Sequence, residues 1–471
     1  MRIKLLSLLA ALMLAASGCT GVMVQNSATA ATATSSTAVQ ATNAAPPAAP
    51  PNGAAPGAQS SAKATGAYTL TDESATETGK TYTANAADES AIYVTSGGTL
   101  TATNATISSS GDSSSSDSSS FYGLNAVVLV EAGSSISQAG SSISLADSTV
   151  SSTGAGANGV FATGEGATVD LANVKIDATG QYAHAVMATL GGVMTLANVD
   201  MTTAGANSGA IATDRGGGTI DVTGGTVTTT GQDSPGIYST GTITVSNATV
   251  TATGAEAAVI EGANKINLVD TDLSSSMAGK WGVMIYQSMS GDAEGTEGQF
   301  SMTGGSLAYT AAVGPLFYVT NSTGGITLSG VDLTAASGVL AKASADRWGA
   351  EGANGGNIVL TADNQVLGGD LQADAISTLA VTLQNGSTLT GAINADGKAQ
   401  AATLTLDGSS SWTVTADSYL TCLSDAARID GTSVTNITGN GHTVYYDAAA
   451  CGELNGATYD LAGGGTLTPA G

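Results

Sequence analysis

One motif recurs along this chain and limits what it can fold into. It reads apolar-x-apolar-x-turn-x-x-apolar, with Asn, Asp or Gly at the turn. It occurs nine times, centred on Asn104, Asp147, Asn173, Asn198, Gly224, Asn247, Asp270, Gly304 and Gly330. The apolar pairs before the centres are Leu100 and Ala102, Ile143 and Leu145, Val169 and Leu171, Met194 and Leu196, Ile220 and Val222, Ile243 and Val245, Ile266 and Leu268, Phe300 and Met302, Ile326 and Leu328. The apolar residues three after the centres are Ile107, Val150, Ile176, Met201, Val227, Val250, Leu273, Leu307 and Leu333. Centres lie 23 to 26 residues apart, except for gaps of 43 and 34. A unit this short cannot bury its own apolar side, so such units must stack.

The strand period of two turns this pattern into geometry. Residues four and two before the centre point inward on one short strand. Asn, Asp and Gly tolerate the left-handed backbone that a sharp corner needs. The apolar residue three later points inward on the next strand. A further strand precedes each pair, at residues 126–130, 159–163, 185–189, 210–214, 236–240, 258–262, 282–286 and 316–320, with an earlier copy at 92–95. Each coil therefore has three strands and three corners, and the chain is expected to be an all-β parallel β-helix of about a dozen coils. An array of immunoglobulin-like sandwiches would show turn signals over about 100 residues without this short period.

Near the end the register changes. Ile358 and Leu360, Val381 and Leu383, and Leu404 and Leu406 form new pairs before turns at Ala362, Asn385 and Gly408. The next inward residues, Val366, Leu389 and Trp412, come four later instead of three. The expected organisation is a signal segment at 1–19, a tether at 20–65, regular coils at 66–355, coils in shifted register at 356–412, and a cap at 413–471. A cap is needed because an open end presents unpaired strand edges.

Composition agrees with short strands and tight turns. The chain has 471 residues, 63 of them Gly, with 10 % charged and 4 % aromatic residues. The formal charge of −25 argues against nucleic acid and against anionic lipid headgroups as partners. The N-terminus carries Arg2 and Lys4, then an apolar run over residues 5–16, too short for a stable span. Ala16, Ser17 and Gly18 lead into Cys19, which resembles the bacterial lipoprotein signal, although Ala16 stands where that signal usually has Leu. The resemblance implies lipidation of Cys19, and with it a chain held to a bacterial membrane and displayed at the cell surface. The Ala-, Thr-, Ser- and Pro-rich residues after it would act as a spacer. Cys422 and Cys451 are the other two cysteines, and in an oxidising compartment they are candidates for a disulfide.

The nine turn motifs, and the stretch 411–420 with Trp412, Val414, Tyr419 and Leu420, resemble the pectin-lyase-like right-handed β-helices, in particular bacterial adhesins and autotransporter passengers. That resemblance implies a right-handed coil and a surface protein. No C-terminal membrane barrel follows, so the lipid would be the anchor.

Many such helices cleave polysaccharides with carboxylates gathered on one face. With the second residue of each preceding strand taken as inward, the outward column reads Tyr93, Val128, Phe161, Met187, Ala212, Tyr238, Ile260, Met284 and Tyr318. The next outward positions are Val130, Thr163, Thr189, Asp214, Thr240, Gly262, Tyr286 and Thr320. Asp214, with Arg215 beside it, is the one acid there, so no catalytic residues are assigned. The column is instead a stripe of apolar and aromatic side chains suited to a protein or glycan ligand. Tyr93, Phe161, Met187, Tyr238, Met284 and Tyr318 are the candidate contacts. Loops could equally cover the stripe, and a one-residue error in facing would send it inside. Asp270 with Asp272, and the acids between Asp112 and Asp117, could take calcium but lack a complete ligand set and read as surface turns, so no metal or cofactor is assigned. The Ser-rich run 108–120 reads as a flexible inserted loop, and Lys280-Trp281 and Arg347-Trp348 as junctions that either bind carbohydrate or cover the stack. His184 and His442 receive no role. The expected function is an adhesin-like binding protein, against the alternatives of a polysaccharide lyase or hydrolase and of a structural surface-layer component.

Overall fold

The inward apolar pairs do what their spacing requires. All eighteen side chains of the nine pairs are at most 2 % exposed, and they line one continuous core. A computed structural model describes residues 63–133, 140–425 and 428–471. It is a right-handed parallel β-solenoid of about 16 turns, 52 % strand and 2 % helix. Cys19 and almost all of the tether lie outside the described residues.

Three sheets run along most of the stack. The first has twelve strands, from Thr65–Thr71 to Asp370–Ala373; the second has fourteen, from Ser74–Thr78 to Cys422–Ser424; the third has ten, from Thr81–Ala84 to Asp332–Ala335. A fourth sheet of nine strands begins at Val366–Gly368. The strand after each motif belongs to the third sheet, the apolar pair to the second, and the preceding strand to the first.

All nine turn centres have positive φ, from 45° at Asp270 to 72° at Gly224. They stack by a repeated bond: the N–H of each corner reaches the carbonyl just before the next, as in Asn173 to Ala197 at 2.9 Å and Asn198 to Thr223 at 2.9 Å. Side chains extend the ladder where they can, with Asn173 Nδ2 donating to Asp147 Oδ1 at 3.0 Å. At Gly225 a Cβ would stand 2.2 Å from the Val199 carbonyl oxygen, so the Gly-Gly corner is a requirement of close stacking.

The count of about a dozen coils was too low. Residues 65–84 already form a coil, but its second strand, Ser74–Thr78, places Ala75 and Glu77 opposite Leu100 and Ala102. Without an apolar pair it left no motif to read. The late register also needs correction. Leu360 and Ala362 pair with Val381 and Leu383, the corner is Asn364 at φ 48°, and Leu367 is the inward residue at 1 % exposure. Val366 is 72 % exposed and points out. Strand Gly356–Asp363 buries Ile358, Leu360 and Ala362 in turn, so two registers two residues apart satisfy the same alternation. The extra corner residue first enters at Asn385, four before the buried Leu389.

Residues 413–471 keep part of the winding. Ser418–Leu420 pairs in parallel with Thr443–Tyr446, which pairs in parallel with Thr466–Pro469; Tyr459–Ala462 then runs antiparallel to that last strand. Cys422 and Cys451 are joined as a disulfide with Cα atoms 4.8 Å apart.

Candidate functional site

The outward column of the first sheet is set by strand pairing. It runs Tyr93, Leu129, Phe161, Met187, Ala212, Tyr238, Val259, Met284 and Tyr318. Leu129 replaces Val128 and Val259 replaces Ile260, since both expected residues point inward. The neighbouring column likewise holds Glu131 and Glu261 where Val130 and Gly262 were expected. The slips fell on strands apolar on both sides, where residues 126–130 and 257–260 form unbroken apolar runs and no alternation marks the facing.

The column is not bare surface. Phe161 and Met187 are 0 % exposed, Met284 6 % and Tyr318 4 %, while Tyr93 and Tyr238 are half-buried. Two clusters outside the solenoid core explain this. In one, Ala126, Leu129, Phe161, Met187 and Ala212 pack together. The gap of 43 supplies their cover: the Ser-rich run, read as a flexible loop, contains helix α1 (Ser116–Tyr122), whose first turn is capped by Ser115 accepting from the Ser118 amide. The helix ends at Gly123, where a Cβ would lie 2.6 Å from Leu129 and 2.8 Å from Phe161. Thr189 Oγ1 donates to the Phe121 carbonyl at 2.9 Å, and the Arg215 guanidinium lies 3.7 Å from the Phe121 ring centre. In the other cluster, Trp281 stacks on Tyr318 with ring centres 4.2 Å apart and planes 7° from parallel, and Trp348 meets Tyr286 at 5.1 Å.

Beside these clusters lies a polar patch that sequence reasoning missed. Glu261 accepts from Tyr238 Oη at 2.5 Å, from Tyr286 Oη at 2.8 Å and from Ser288 Oγ. Asp292, from an inserted segment, accepts from Ser290 Oγ at 2.9 Å and pairs with Arg215 Nη2 at 3.0 Å. Asp214 accepts from the Arg215 amide at 2.7 Å. Burial pushes the Asp214 carboxyl well above its ordinary value, and the charges of Asp292 and Glu261 push the same way. Burial and the charge of Glu261 push the Tyr238 and Tyr286 phenols well up. At the far end of the face, Tyr93 bonds Glu131, and burial raises its phenol to about 12. Asp214 was thus one acid of three. The signal for Glu261 was hidden by the facing error, and that for Asp292 lay only in the gap of 34 that marks its insertion.

Over the second cluster the surface opens into a cavity of about 520 Å³, lined by Ser288, Met289, Arg347, Trp348, Gly349 and Ala350. Met289 is 70 % exposed, and the Arg347 guanidinium lies 4.0 Å from the Trp348 ring centre. Trp348 packs on the cluster through Tyr286 and also lines the cavity.

Elsewhere the titratable groups serve the coil. His184 Nδ1 donates to the Gly209 carbonyl at 2.8 Å, and burial lowers the ring to about 4, so it is neutral at physiological pH. Asp112 accepts from the Ala155 amide at 2.8 Å and Asp272 from Ser306 Oγ at 2.6 Å. Among the described residues no three His, Cys, Asp or Glu side chains converge on a metal position, and no helix is long and apolar enough to cross a membrane. No known protein-family model matches the chain, and no curated protein does.

Proposed function

We propose that this chain is a surface-displayed binding protein of the adhesin kind, in which the solenoid is a rigid spacer and the layer over its first sheet carries the ligand contacts. The signal segment, Cys19 and the tether supply export and anchoring in this reading. The kinship with pectin-lyase-like helices and passenger domains belongs to the same proposal, resting on the turn motifs and the winding. The observation that carries it is the open cavity at Met289, Arg347 and Trp348, built on segments that interrupt an otherwise regular coil. Loops on a rigid scaffold are where recognition residues gather. An indole wall, an arginine and a serine at a shallow opening suit a sugar ring with its hydroxyl or carboxylate groups. A glycan is therefore the favoured ligand.

The test is binding to a glycan array by the wild-type chain, Arg347→Ala and Ala350→Trp, the last filling the cavity. Both variants are expected to bind at least about 10-fold more weakly, roughly 1.4 kcal/mol. Unchanged binding removes the cavity as the site, and binding confined to a protein array moves the ligand class to protein.

A second reading, a polysaccharide-cleaving enzyme, draws on Asp214, Glu261 and Asp292 sharing one patch. Paired carboxylates with separated protonation states are what such chemistry uses. Against it, Glu261 is 2 % exposed and engaged by three hydroxyls. Reducing-end release from uronate polymers, abolished by Glu261→Gln, would favour the enzyme over the binding protein.

A further inference from the structure

Three charged side chains outside the carboxylate–tyrosine patch stack at one corner of the solenoid. Asp233, Glu256 and Lys280 follow the strands Thr226–Thr229, Thr249–Ala252 and Asp272–Ser275, which pair in register on successive coils. Lys280 Nζ stands 2.7 Å from Asp233 Oδ1 and 3.7 Å from Glu256 Oε1, and the three side chains are only 4 %, 9 % and 6 % exposed for Lys280, Asp233 and Glu256. The closer approach is not aligned as a hydrogen bond: Asp233 Oδ1 is a buried oxygen with no hydrogen-bonding partner. Gln232 Nε2 donates to the other oxygen, Oδ2, at 3.2 Å. The lysine is held in place along its backbone, since Tyr309 Oη donates to the Lys280 carbonyl at 2.6 Å and the adjoining Trp281 is stacked on Tyr318. Ala255 and Ala257, on either side of Glu256, are fully buried.

An amine and a carboxyl group held together, away from water and beside a second carboxyl, form a reaction geometry as well as an ion pair. We propose that Lys280 and Asp233 condense into an intramolecular amide, with Glu256 carrying the proton. A proton first passes from the Lys280 ammonium to the Asp233 carboxylate, leaving an amine and a carboxylic acid. The nitrogen lone pair attacks the Asp233 carboxyl carbon and the N–C bond forms. Glu256 takes the second proton from nitrogen and returns it to the departing hydroxyl as the C–O bond breaks. One water leaves, nothing is oxidised or reduced, and Glu256 ends as it began. Burial pushes the Glu256 carboxyl above its ordinary value while Lys280 pulls it back, the balance that lets a carboxyl both accept and give a proton. The product ties residues 47 apart in sequence and joins two coils across the one between them.

The test is peptide mass analysis of the full chain after denaturation, reduction, alkylation and trypsin. Trypsin does not cut after a lysine in amide linkage, so peptide 216–265 is expected joined to peptide 266–342, about 18 Da lighter than their sum. Recovery of 216–265 and 266–280 as separate peptides of full mass overturns the proposal on the wild-type chain alone. Lys280→Arg, which keeps the charge, is expected to give separate peptides, and so is Glu256→Gln. A linked Glu256→Gln chain with wild-type circular dichroism overturns the role given to Glu256.

Discussion

The first and second sheets share an interior and differ outside. Inward, both carry aliphatic residues buried to the same degree. Outward, one register of the second sheet reads Ser144, Asp170, Thr195, Asp221, Thr244, Asn267 and Ser301, a polar row. The corresponding row of the first reads Leu129, Phe161, Met187, Ala212, Tyr238, Val259 and Met284, and α1 and the inserted segments sit on it. The inward residues of a solenoid thus determine its winding, while the outward ones determine which sheet acquires a second layer. An apolar outer row can report a covered face as readily as an open one.

If the covering layer is a true second core, Phe161→Ala should destabilise the chain by about 3–5 kcal/mol, as for a deep interior site. Thr244→Ala, on the polar row, should stay within about 0.5 kcal/mol. Denaturant midpoints compare the two, and equal values would erase the distinction between the sheets.

Acidity sharpens the comparison further. Desolvation beside the inserted segment, with the charges of Asp292 and Glu261, holds the Asp214 carboxyl above its ordinary value. The folded chain therefore keeps this proton at pH values where the unfolded chain, titrating at about 3.9, has released it. Stability is lost as pH rises from there through the folded-state value. Asp214→Asn removes that slope, so its unfolding midpoint should exceed that of the wild type at pH 7 and match it near pH 4. A midpoint difference independent of pH would show that the carboxyl is solvated and the layer open.

A more local effect is expected at the corners, which join the second sheet to the third. Asn173→Ala should cost about 1–2 kcal/mol for its left-handed backbone, and Asn173→Gly should recover most of it. Thermal midpoints of the two variants check this, and an alanine as stable as the glycine would deny the corner its constraint.

The winding was legible because its signal is periodic and redundant. Nine corners, each with an inward residue on both sides, leave one way to coil. Reading failed where a single residue decided. Glu77 lies opposite Ala102, so the first coil carries no apolar pair and no motif of its own to count. Residues 257–260 gave no alternation, and Glu261 was assigned to the wrong side of its strand. The acids and aromatics of the candidate site meet through tertiary packing of inserted segments, as Asp292 meets Arg215 across 77 positions. Sequence spacing carries the existence of such an insertion, through the gaps of 43 and 34, but not the direction in which it folds.

The corner ladder has one more consequence. Because each corner bonds to its counterpart on the next coil through the backbone, as Asn173 does through its amide and Ala197, the rack holds its pitch whatever hangs from it. Segments on either flank of the first sheet can then be lengthened, shortened or exchanged without rewinding the interior. Such a scaffold would let its outer segments diversify quickly while its architecture stands still.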